Sequence, residues 1–484
     1  MTGTRRGLVL ACVMLAMFMA AIEGTIVATA MPHIVAELGG FSLYTWVFSG
    51  FLLAQAVATP VAGKLADLYG RRPVFTAGVG VFLTGSVLCG MAPTMVWLVV
   101  LRVVQGVGAG AVQPIAATLV GDLYTLEERS RIQGWLSSTW GISAVLGPVI
   151  GGVIVQYAHW SWIFWLHLPF GLFAIVGVRR FLRERVDGHR RTVDYAGAGW
   201  FFVGCSAILL LLVQGGVAFP WISTTALSLA ALGALAVVGF FHRERRAREP
   251  LMELSLWRHP LIRVANGATL TAGMMLIGLT TFVPTFVQGV LGRGPVVAGF
   301  TLTAVSIGWP TAAVICGRLL PRLGARITAR IGGVFLCLGG LVFVLPPLLP
   351  GPWWPALGSL CTGAGMGFAN TTFIVSIQGA VAWGQRASAT ASNLFMRMFG
   401  SALGAAALGG VLNQRLQQLM GADAADLADV RRLLGHGGAA VETLDPGLRA
   451  ALAGGLEWVF IGILVCAVAT FVQALRLPLM GYRG

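Results

Sequence analysis

Long apolar runs alternate with short polar connections along almost the whole chain. A helix of about 20 apolar residues matches the thickness of a lipid bilayer. Fourteen runs meet this criterion and predict transmembrane helices over residues 8–30, 43–63, 74–92, 95–121, 131–156, 161–181, 196–216, 221–241, 262–288, 296–316, 328–348, 353–381, 388–411 and 456–478. The hydrophobic pattern therefore predicts an all-α integral membrane protein.

The distribution of charged residues supports a membrane-spanning chain. The 484 residues are 57% hydrophobic and 11% charged, with a formal net charge of +15. When the N-terminus is placed in the cytoplasm, most of the 33 lysines and arginines fall in cytoplasmic connections, as the positive-inside rule requires. Topology and anionic lipids explain the positive charge, so a nucleic-acid partner is not expected. We expect a multi-pass protein of the cell inner membrane or plasma membrane with both termini cytoplasmic.

An internal repeat divides the chain. GVGAG at 106–110 recurs as GAGMG at 363–367, and GKLADLYGRR at 63–72 is echoed by GRLLPRLGAR at 317–326. Duplicated helical halves are typical of alternating-access carriers, which place a central site at the midplane of the membrane. We therefore predict two pseudo-symmetric six-helix halves around a two-helix insertion (6+2+6). The predicted domains are 1–190, 191–255 and 256–484, the last with a long external loop at 413–455 that we expect to form an amphipathic excursion.

Two charged residues lie deep inside apolar runs. Glu23 is the only acidic residue in such a position, and Arg102 lies inside the fourth run. Each is costly in a bilayer unless it is paired or used in function. Glu23 is a candidate proton-binding residue, and Arg102 is either its functional partner or a structural arginine bound to backbone carbonyls.

Two glycine-rich motifs indicate moving parts. GKLADLYGRR is expected to form a loop of about ten residues between the second and third helices, where charged residues can pair with charges or helix ends of the neighbouring half. Its candidate residues for a conformational switch are Gly63, Asp67, Gly70, Arg71 and Arg72. GISAVLGPVIGG predicts a kinked, closely packed fifth helix, and pliability during a transport cycle is the alternative to packing alone. Its candidate residues are Gly147, Pro148, Gly151 and Gly152.

Motifs for other chemistry are missing from the sequence. There is no GxxxxGK[ST] phosphate loop, no HExxH and no GxSxG, and the seven cysteines fall singly in apolar runs. We therefore expect neither an enzyme nor a cofactor or metal, and any pumping must use a gradient.

These motifs together resemble the fourteen-helix drug:proton antiporter branch of the major facilitator superfamily, nearly from end to end. IEGTIVATAMP resembles the first-helix motif, with Glu23 in place of the usual Asp. GKLADLYGRR resembles the loop motif, with Leu68 in place of a basic residue, and LRVVQGVGAG resembles the proton-coupling motif of the fourth helix. LGPVIGG resembles the antiporter motif. WSWIFWLHLPFG resembles the sixth-helix signature, with Ser161 for Arg and His167 for Asn.

The resemblance implies the major facilitator fold and a proton-coupled secondary antiporter that exports lipophilic, cationic drug-like compounds by alternating access. Glu23 would bind the proton and compete with substrate, and Arg102 would respond to its charge. The expected partners are a small-molecule substrate, protons and the lipid bilayer, and we expect a functional monomer. A dedicated exporter of one metabolite or self-made antibiotic is the alternative, and a transport-dead sensor is a third.

Polar, aromatic and methionine side chains in the runs are candidates for the substrate cavity. His167 is either hydrogen-bonded to a backbone carbonyl that Pro169 leaves free or is a second proton site beside Glu23. The candidates are Glu23, Met19, Trp46, Phe51, Gln55, Gln113, His167, Met274, Phe282, Trp309, Asn370 and Arg397.

Overall fold

The computed structural model describes residues 4–40, 43–184, 194–216, 219–247, 250, 254–345, 351–420 and 446–478. Within these ranges the regular elements are helices, which confirms the all-α prediction. Of the long external loop predicted at 413–455, residues 413–420 and 446–455 are helical, and the remainder, with the predicted amphipathic excursion, lies outside the described residues.

The described helices, in chain order, are α1 (Arg6–Leu38), α2 (Tyr44–Tyr69), α3 (Arg71–Gly90), α4 (Met95–Leu123), α5 (Leu126–Tyr157), α6 (Trp162–Trp165), α7 (His167–Phe181), α8 (Tyr195–Gln214), α9 (Thr224–Glu244), α10 (Leu254–Arg258), α11 (Pro260–Gly289), α12 (Pro295–Val344), α13 (Trp353–Ala380), α14 (Arg386–Met420) and α15 (Pro446–Leu475). A short 3₁₀ helix at Trp383–Gln385 precedes α14.

Thirteen spans in the described ranges are long and apolar enough to cross a membrane. One of them, α12, consists of two helices that meet at Gly324, whose backbone is not helical (φ 78°, ψ 165°). Counting these two separately gives the fourteen predicted helices.

The expected ten-residue loop between the second and third helices is wrong. Helix α2 continues to Tyr69 and α3 begins at Arg71, so Gly70 alone makes the turn. Its backbone (φ 96°, ψ 159°) lies in a region essentially restricted to glycine. Helical hydrogen bonding continues past the point where the apolar run ends, which is why hydrophobicity alone misplaces the helix ends.

Close glycine contacts recur at corresponding positions of the internal repeat. A Cβ on Gly106 of α4 would meet the Phe51 carbonyl oxygen of α2, and one on the corresponding Gly363 of α13 would lie 2.6 Å from the Val305 carbonyl oxygen of α12. Gly70 and Gly324, which correspond in the repeat, share the same backbone conformation. Both halves thus use glycine to bring equivalent helix pairs into contact.

The chain forms two compact units. Unit 1 contains residues 1–214, 219–263 and 374–395, and unit 2 contains 215–218, 264–373 and 396–484. The two inserted helices, α8 and α9, belong to unit 1, where Gln214 Nε2 donates a hydrogen bond to Ser49 Oγ of α2 (3.3 Å). The three-part domain division predicted from the sequence stays a prediction.

Candidate functional site

Glu23 of α1 and Arg102 of α4 form a buried ion pair in unit 1. Both side chains are at most 1% exposed, and Arg102 Nη1 contacts Glu23 Oε1. Arg102 Nε also donates to the Val47 carbonyl oxygen (3.1 Å), and its guanidinium lies 4.2 Å from the centre of the Phe51 ring. Arg102 therefore binds both a carboxylate and a backbone carbonyl, and its functional role stays a prediction.

Uncharged polar groups connect this ion pair to His167. Arg102 Nη1 donates to Gln105 Oε1 (2.8 Å), and Gln105 Nε2 donates to Ser86 Oγ (3.2 Å). Ser86 Oγ in turn donates to the Phe164 carbonyl oxygen (2.8 Å). Gly85 permits this arrangement, because a Cβ there would lie 2.8 Å from the backbone of Gln105.

Two polar groups lie close to Nδ1 of His167. The Phe164 carbonyl oxygen is 3.0 Å away and Ser86 Oγ is 3.2 Å away. Because the carbonyl oxygen can only accept, it favours the tautomer with the proton on Nδ1. In the neutral ring Nε2 is then an acceptor. Nε2 lies 3.1 Å from Glu23 Oε2, itself an acceptor when ionised.

With the ring proton on Nδ1, these two atoms are acceptors that face each other in a buried site, a contact that a proton between them would stabilise. Neither Glu23 Oε2 nor His167 Nε2 has a hydrogen bond of good geometry in the described part of the chain. One ring nitrogen of His167 thus lies against a backbone carbonyl and the other faces Glu23, and a role of His167 as a second proton site stays a prediction. The carbonyl belongs to Phe164, whereas Pro169 would leave that of Trp165 free.

A second cluster, the α2–α3 cluster, surrounds Gly70 in unit 1 and consists of Asp67, Arg71, Asp122, Glu184, Trp383 and Arg386. Asp67 accepts hydrogen bonds from the backbone N–H groups of Ala387 (3.1 Å) and Ser388 (2.7 Å) in the first turn of α14. It also lies 3.1 Å from Arg71 Nη2. A carboxylate at a helix N-terminus is stabilised by the free amides and the helix dipole.

Arg71 is fully buried and has several partners in this cluster. Its Nε donates to Asp122 Oδ2 (2.9 Å), its Nη2 donates to the Trp383 carbonyl oxygen (2.6 Å), and its guanidinium stacks 3.8 Å from the Trp383 ring. Asp122 also binds Arg386 Nη1 (3.1 Å), and Glu184 caps α3 by accepting from the backbone N–H of Arg71 (2.9 Å). The cluster is thus a buried ionic network rather than a solvated loop.

Sequence reasoning missed much of both clusters. Ser86 and Phe164 carry no signal, since one is a common small polar residue and the other contributes a backbone carbonyl. Asp122, Glu184 and Arg386 look like loop charges because they lie at the ends of apolar runs. Arg386 had one signal, its correspondence with Arg129 in the internal repeat.

The fifth-helix motif packs against α1 next to Glu23. Gly147 lies against Thr25, and a Cβ on Gly151 would lie 3.2 Å from Ile26. Gly152 faces open space, so its small size serves no packing here. Helix α5 is continuous through Pro148, and residues 147 and 151 are the ones that permit close contact.

The cavity candidates lie in both units. In unit 1, Met19 and Phe51 belong to the hydrophobic core, Gln55 is buried, and Trp46 and Gln113 are half-buried. In unit 2, Phe282 belongs to a hydrophobic core cluster, Met274 and Trp309 pack against that cluster, and Asn370 and Arg397 are half-buried. Two candidates for the conformational switch, Gly63 and Arg72, also have close neighbours in unit 1. A Cβ on Gly63 would lie 2.8 Å from the Ala387 carbonyl oxygen of α14. Arg72 donates its backbone N–H to Glu184 Oε2 (3.0 Å).

Three features of this structure are typical of a multi-pass membrane carrier: apolar helices long enough to span a membrane, duplicated helix packing and buried charges within the spans. The chain belongs to the Major Facilitator Superfamily, whose family model matches residues 13–405. It is a membrane transporter of that family rather than an enzyme, and its substrates are small molecules.

Named relatives agree with this assignment. The chain is 34% identical to the multidrug transporter protein MdtP of Bacillus subtilis over 86% of this chain and 77% of that protein. It is 31% identical to the acurin A biosynthesis cluster MFS-type transporter of Aspergillus aculeatus, over 90% of this chain and 80% of that protein. The crystal structure of the human organic anion transporter MFSD10 (TETRAN) superposes with a TM-score of 0.65 over 96% of this chain and 99% of that one. At 14% identity this last likeness shows the fold alone.

Proposed function

We propose that this protein is a proton-driven antiporter that exports lipophilic drug-like compounds by alternating access. The observation that carries the proposal is the buried contact of Glu23 with both Arg102 and His167. A carboxylate costs several kcal/mol inside a bilayer, so its presence there calls for a use. The similarity to a multidrug transporter supports the drug-like substrate class. We further propose a cell inner or plasma membrane location, cytoplasmic termini and a functional monomer.

Proton binding would take place between Glu23 Oε2 and His167 Nε2. When a proton lies between these atoms, the charge of Glu23 is partly or wholly neutralised, and its attraction to Arg102 weakens. When the proton leaves, the carboxylate pairs fully with Arg102 again. Because α1 carries Glu23 and contacts α5 through Gly147, each protonation change alters the forces on a closely packed helix pair.

The α2–α3 cluster would control the conformational change. It joins the turn after α2 to the start of α14, two segments about 320 residues apart in the chain. An alternating-access cycle must break and remake such contacts between the two sequence halves. The buried ion pairs of this cluster would stabilise one conformational end state of the cycle.

The charge and the chemical class of the transported compound are distinct from proton coupling. The family resemblance of the sequence implies cationic compounds, and that preference stays a prediction. Arg102 pairs with Glu23 through Oε1, which weakens the attraction of the carboxylate for a cation. The alternative of a dedicated metabolite exporter has its own support, because the Aspergillus relative is named for a biosynthesis cluster.

Proton flux tests the proposal. The protein is reconstituted into liposomes that contain a pH-sensitive dye, and proton movement is recorded after addition of lipophilic compounds such as ethidium and dansyl-phenylalanine. Wild type should show compound-dependent proton movement, and Glu23→Gln should show none, because glutamine keeps the shape and carries no proton. Glu37→Gln is the matched control, since Glu37 is also on α1 but binds His159 and Trp160 near the helix end.

Proton flux at the wild-type level in Glu23→Gln would refute the coupling role of Glu23. A susceptibility panel in a host without its own pumps separates the two substrate classes. Resistance to several unrelated compounds supports a multidrug exporter, and resistance to one compound class supports a dedicated exporter.

A further inference from the structure

Arg397 is a charged residue of the apolar spans with no carboxylate partner in the described ranges. It lies on α14, about three helical turns and so about 17 Å along the helix axis from its start at Arg386, within a span that is long and apolar enough to cross a membrane. Its Nη1 donates to Asn370 Oδ1 of α13 (3.3 Å), and its guanidinium lies 5.9 Å from the centre of the Trp309 ring of α12. All three residues belong to unit 2.

Among the described residues, this environment uses only part of the guanidinium. The group has five N–H donors, and the Asn370 amide oxygen accepts from one of them. A cation at that depth is costly and normally pairs with an anion or lines a polar cavity. Arg102 shows the usual solution, because Glu23 neutralises it.

The internal repeat shows that this charge is particular to unit 2. Trp309 and Asn370 correspond to Gln55 and Gln113, at the same repeat offsets that relate Gly70 to Gly324 and Gly106 to Gly363. Arg397 corresponds to Trp140. The equivalent positions of unit 1 therefore carry no charge, and the packing of the repeat does not itself require an arginine.

We infer that Arg397, Asn370 and Trp309 bind the carboxylate of a transported organic compound with an adjoining aromatic group. A carboxylate matches the planar fork of a guanidinium, which can donate to both oxygens. The Asn370 amide can supply a further donor, and the Trp309 ring offers a flat surface for an aromatic body. This inference rests on the proposed transport function and specifies its substrate class as organic anions or zwitterions.

Binding of a matched probe pair tests the inference. Dansyl-phenylalanine carries one carboxylate near pH 7, and dansyl-phenylalanine amide has almost the same size without that charge. The affinity of the purified full-length protein for both probes is measured by equilibrium dialysis in nanodiscs of neutral phosphatidylcholine. Wild type should bind the acid at least about tenfold more tightly than the amide, the scale of one charge-assisted contact.

Variants assign this preference to the cluster. Arg397→Gln should reduce the ratio to near one, and Arg397→Lys should give an intermediate ratio, because lysine keeps the charge and loses the fork. Arg415→Gln is the matched control, since Arg415 is on the same helix and stacks 3.9 Å from the Trp458 ring; its ratio should match wild type. If Arg397→Gln proves poorly folded, Asn370→Leu keeps the guanidinium and should lower the ratio by a few fold.

Equal affinity of wild type for acid and amide overturns the inference, and so does a preference that survives in Arg397→Gln. A wild-type preference that disappears when anionic phosphatidylglycerol is added also overturns it, because the bound anion is then a lipid headgroup. The proposed function fails differently. If ethidium drives proton flux but the acid has no advantage, antiport stands and this inference falls. If the acid is preferred but no compound moves protons, the binding inference stands and the antiport proposal falls.

Discussion

Asp67→Asn tests the α2–α3 cluster by changing one atom of a side chain that accepts two backbone hydrogen bonds. The carboxylate accepts from Ala387 N–H and Ser388 N–H and lies 3.1 Å from Arg71. Asparagine offers one oxygen, so one amide of α14 faces an NH₂ group and loses its acceptor. A lost charge-assisted hydrogen bond costs about 1.5–3 kcal/mol.

Loss of the Asp67 charge also weakens the interaction with Arg71, although Asp122 still neutralises that residue. We therefore take the lower end of the range for a broken buried pair, about 3 kcal/mol in total. Because 1.4 kcal/mol corresponds to a factor of ten, the open population of this contact should rise about a hundredfold.

Hydrogen exchange measures this population directly, since the affected groups are amides. Exchange at Ala387 and Ser388 should accelerate about a hundredfold in Asp67→Asn. Asp194→Asn is the matched control, because Asp194 accepts from the Gly197 N–H at the start of another helix and pairs with Arg243; it should leave these two amides unchanged. Unchanged exchange in Asp67→Asn would mean that Asp67 contributes nothing to the cluster.

Two further predictions concern backbone geometry and the buried arginine. Gly70→Ala and Gly324→Ala should each destabilise the protein by about 1–3 kcal/mol, because both positions have a glycine-only backbone conformation, whereas Gly80→Ala, which has open space around it, should not lower the melting temperature. Arg102→Lys should sharply reduce proton flux while protein still inserts, because lysine can pair with Glu23 but cannot also reach the carbonyl of α2 and the neighbouring amide oxygen; normal flux would remove the guanidinium from the mechanism.

Much of the fold follows from the sequence because a bilayer imposes a length on every apolar run. The run lengths predict the helices, and the glycine repeat predicts their duplicated packing, since only glycine permits the backbone contacts seen at Gly106 and Gly363. Helix ends are less predictable. Backbone hydrogen bonding, rather than hydrophobicity, determines where α2 ends, and it continues to the residue before Gly70.

The candidate site is predictable only where burial makes a charge conspicuous. Glu23 and Arg102 stand out in apolar runs, and the structure brings them into contact; their transport roles stay predictions. Asp122 and Glu184 lie where apolar runs end, and their tertiary contacts alone show that they are buried partners of Arg71. The grouping of residues 374–395 with unit 1 depends on such contacts and has no local signal.

Two substitutions of His167 separate its structural contact from its contact with Glu23. The side-chain amide of asparagine can occupy the place of Nδ1 and donate to the Phe164 carbonyl, but it is too short to reach Glu23. Glutamine can place its amide near the position of Nε2 and donate to Glu23 Oε2, but it loses the bond to Phe164. Neither amide titrates.

We expect His167→Asn to retain proton-coupled export, because Glu23 can still bind a proton alone. The pH at which proton flux is half-maximal should shift at most, since the shared proton has lost one of its two acceptors. His167→Gln should retain flux less well, because the Phe164 bond that orders the polar network is missing. These outcomes make His167 a modulator of a single-carboxylate mechanism. If His167→Asn instead abolishes proton flux as completely as Glu23→Gln while the protein still inserts, the carboxylate does not suffice, and coupling requires a relay through both groups.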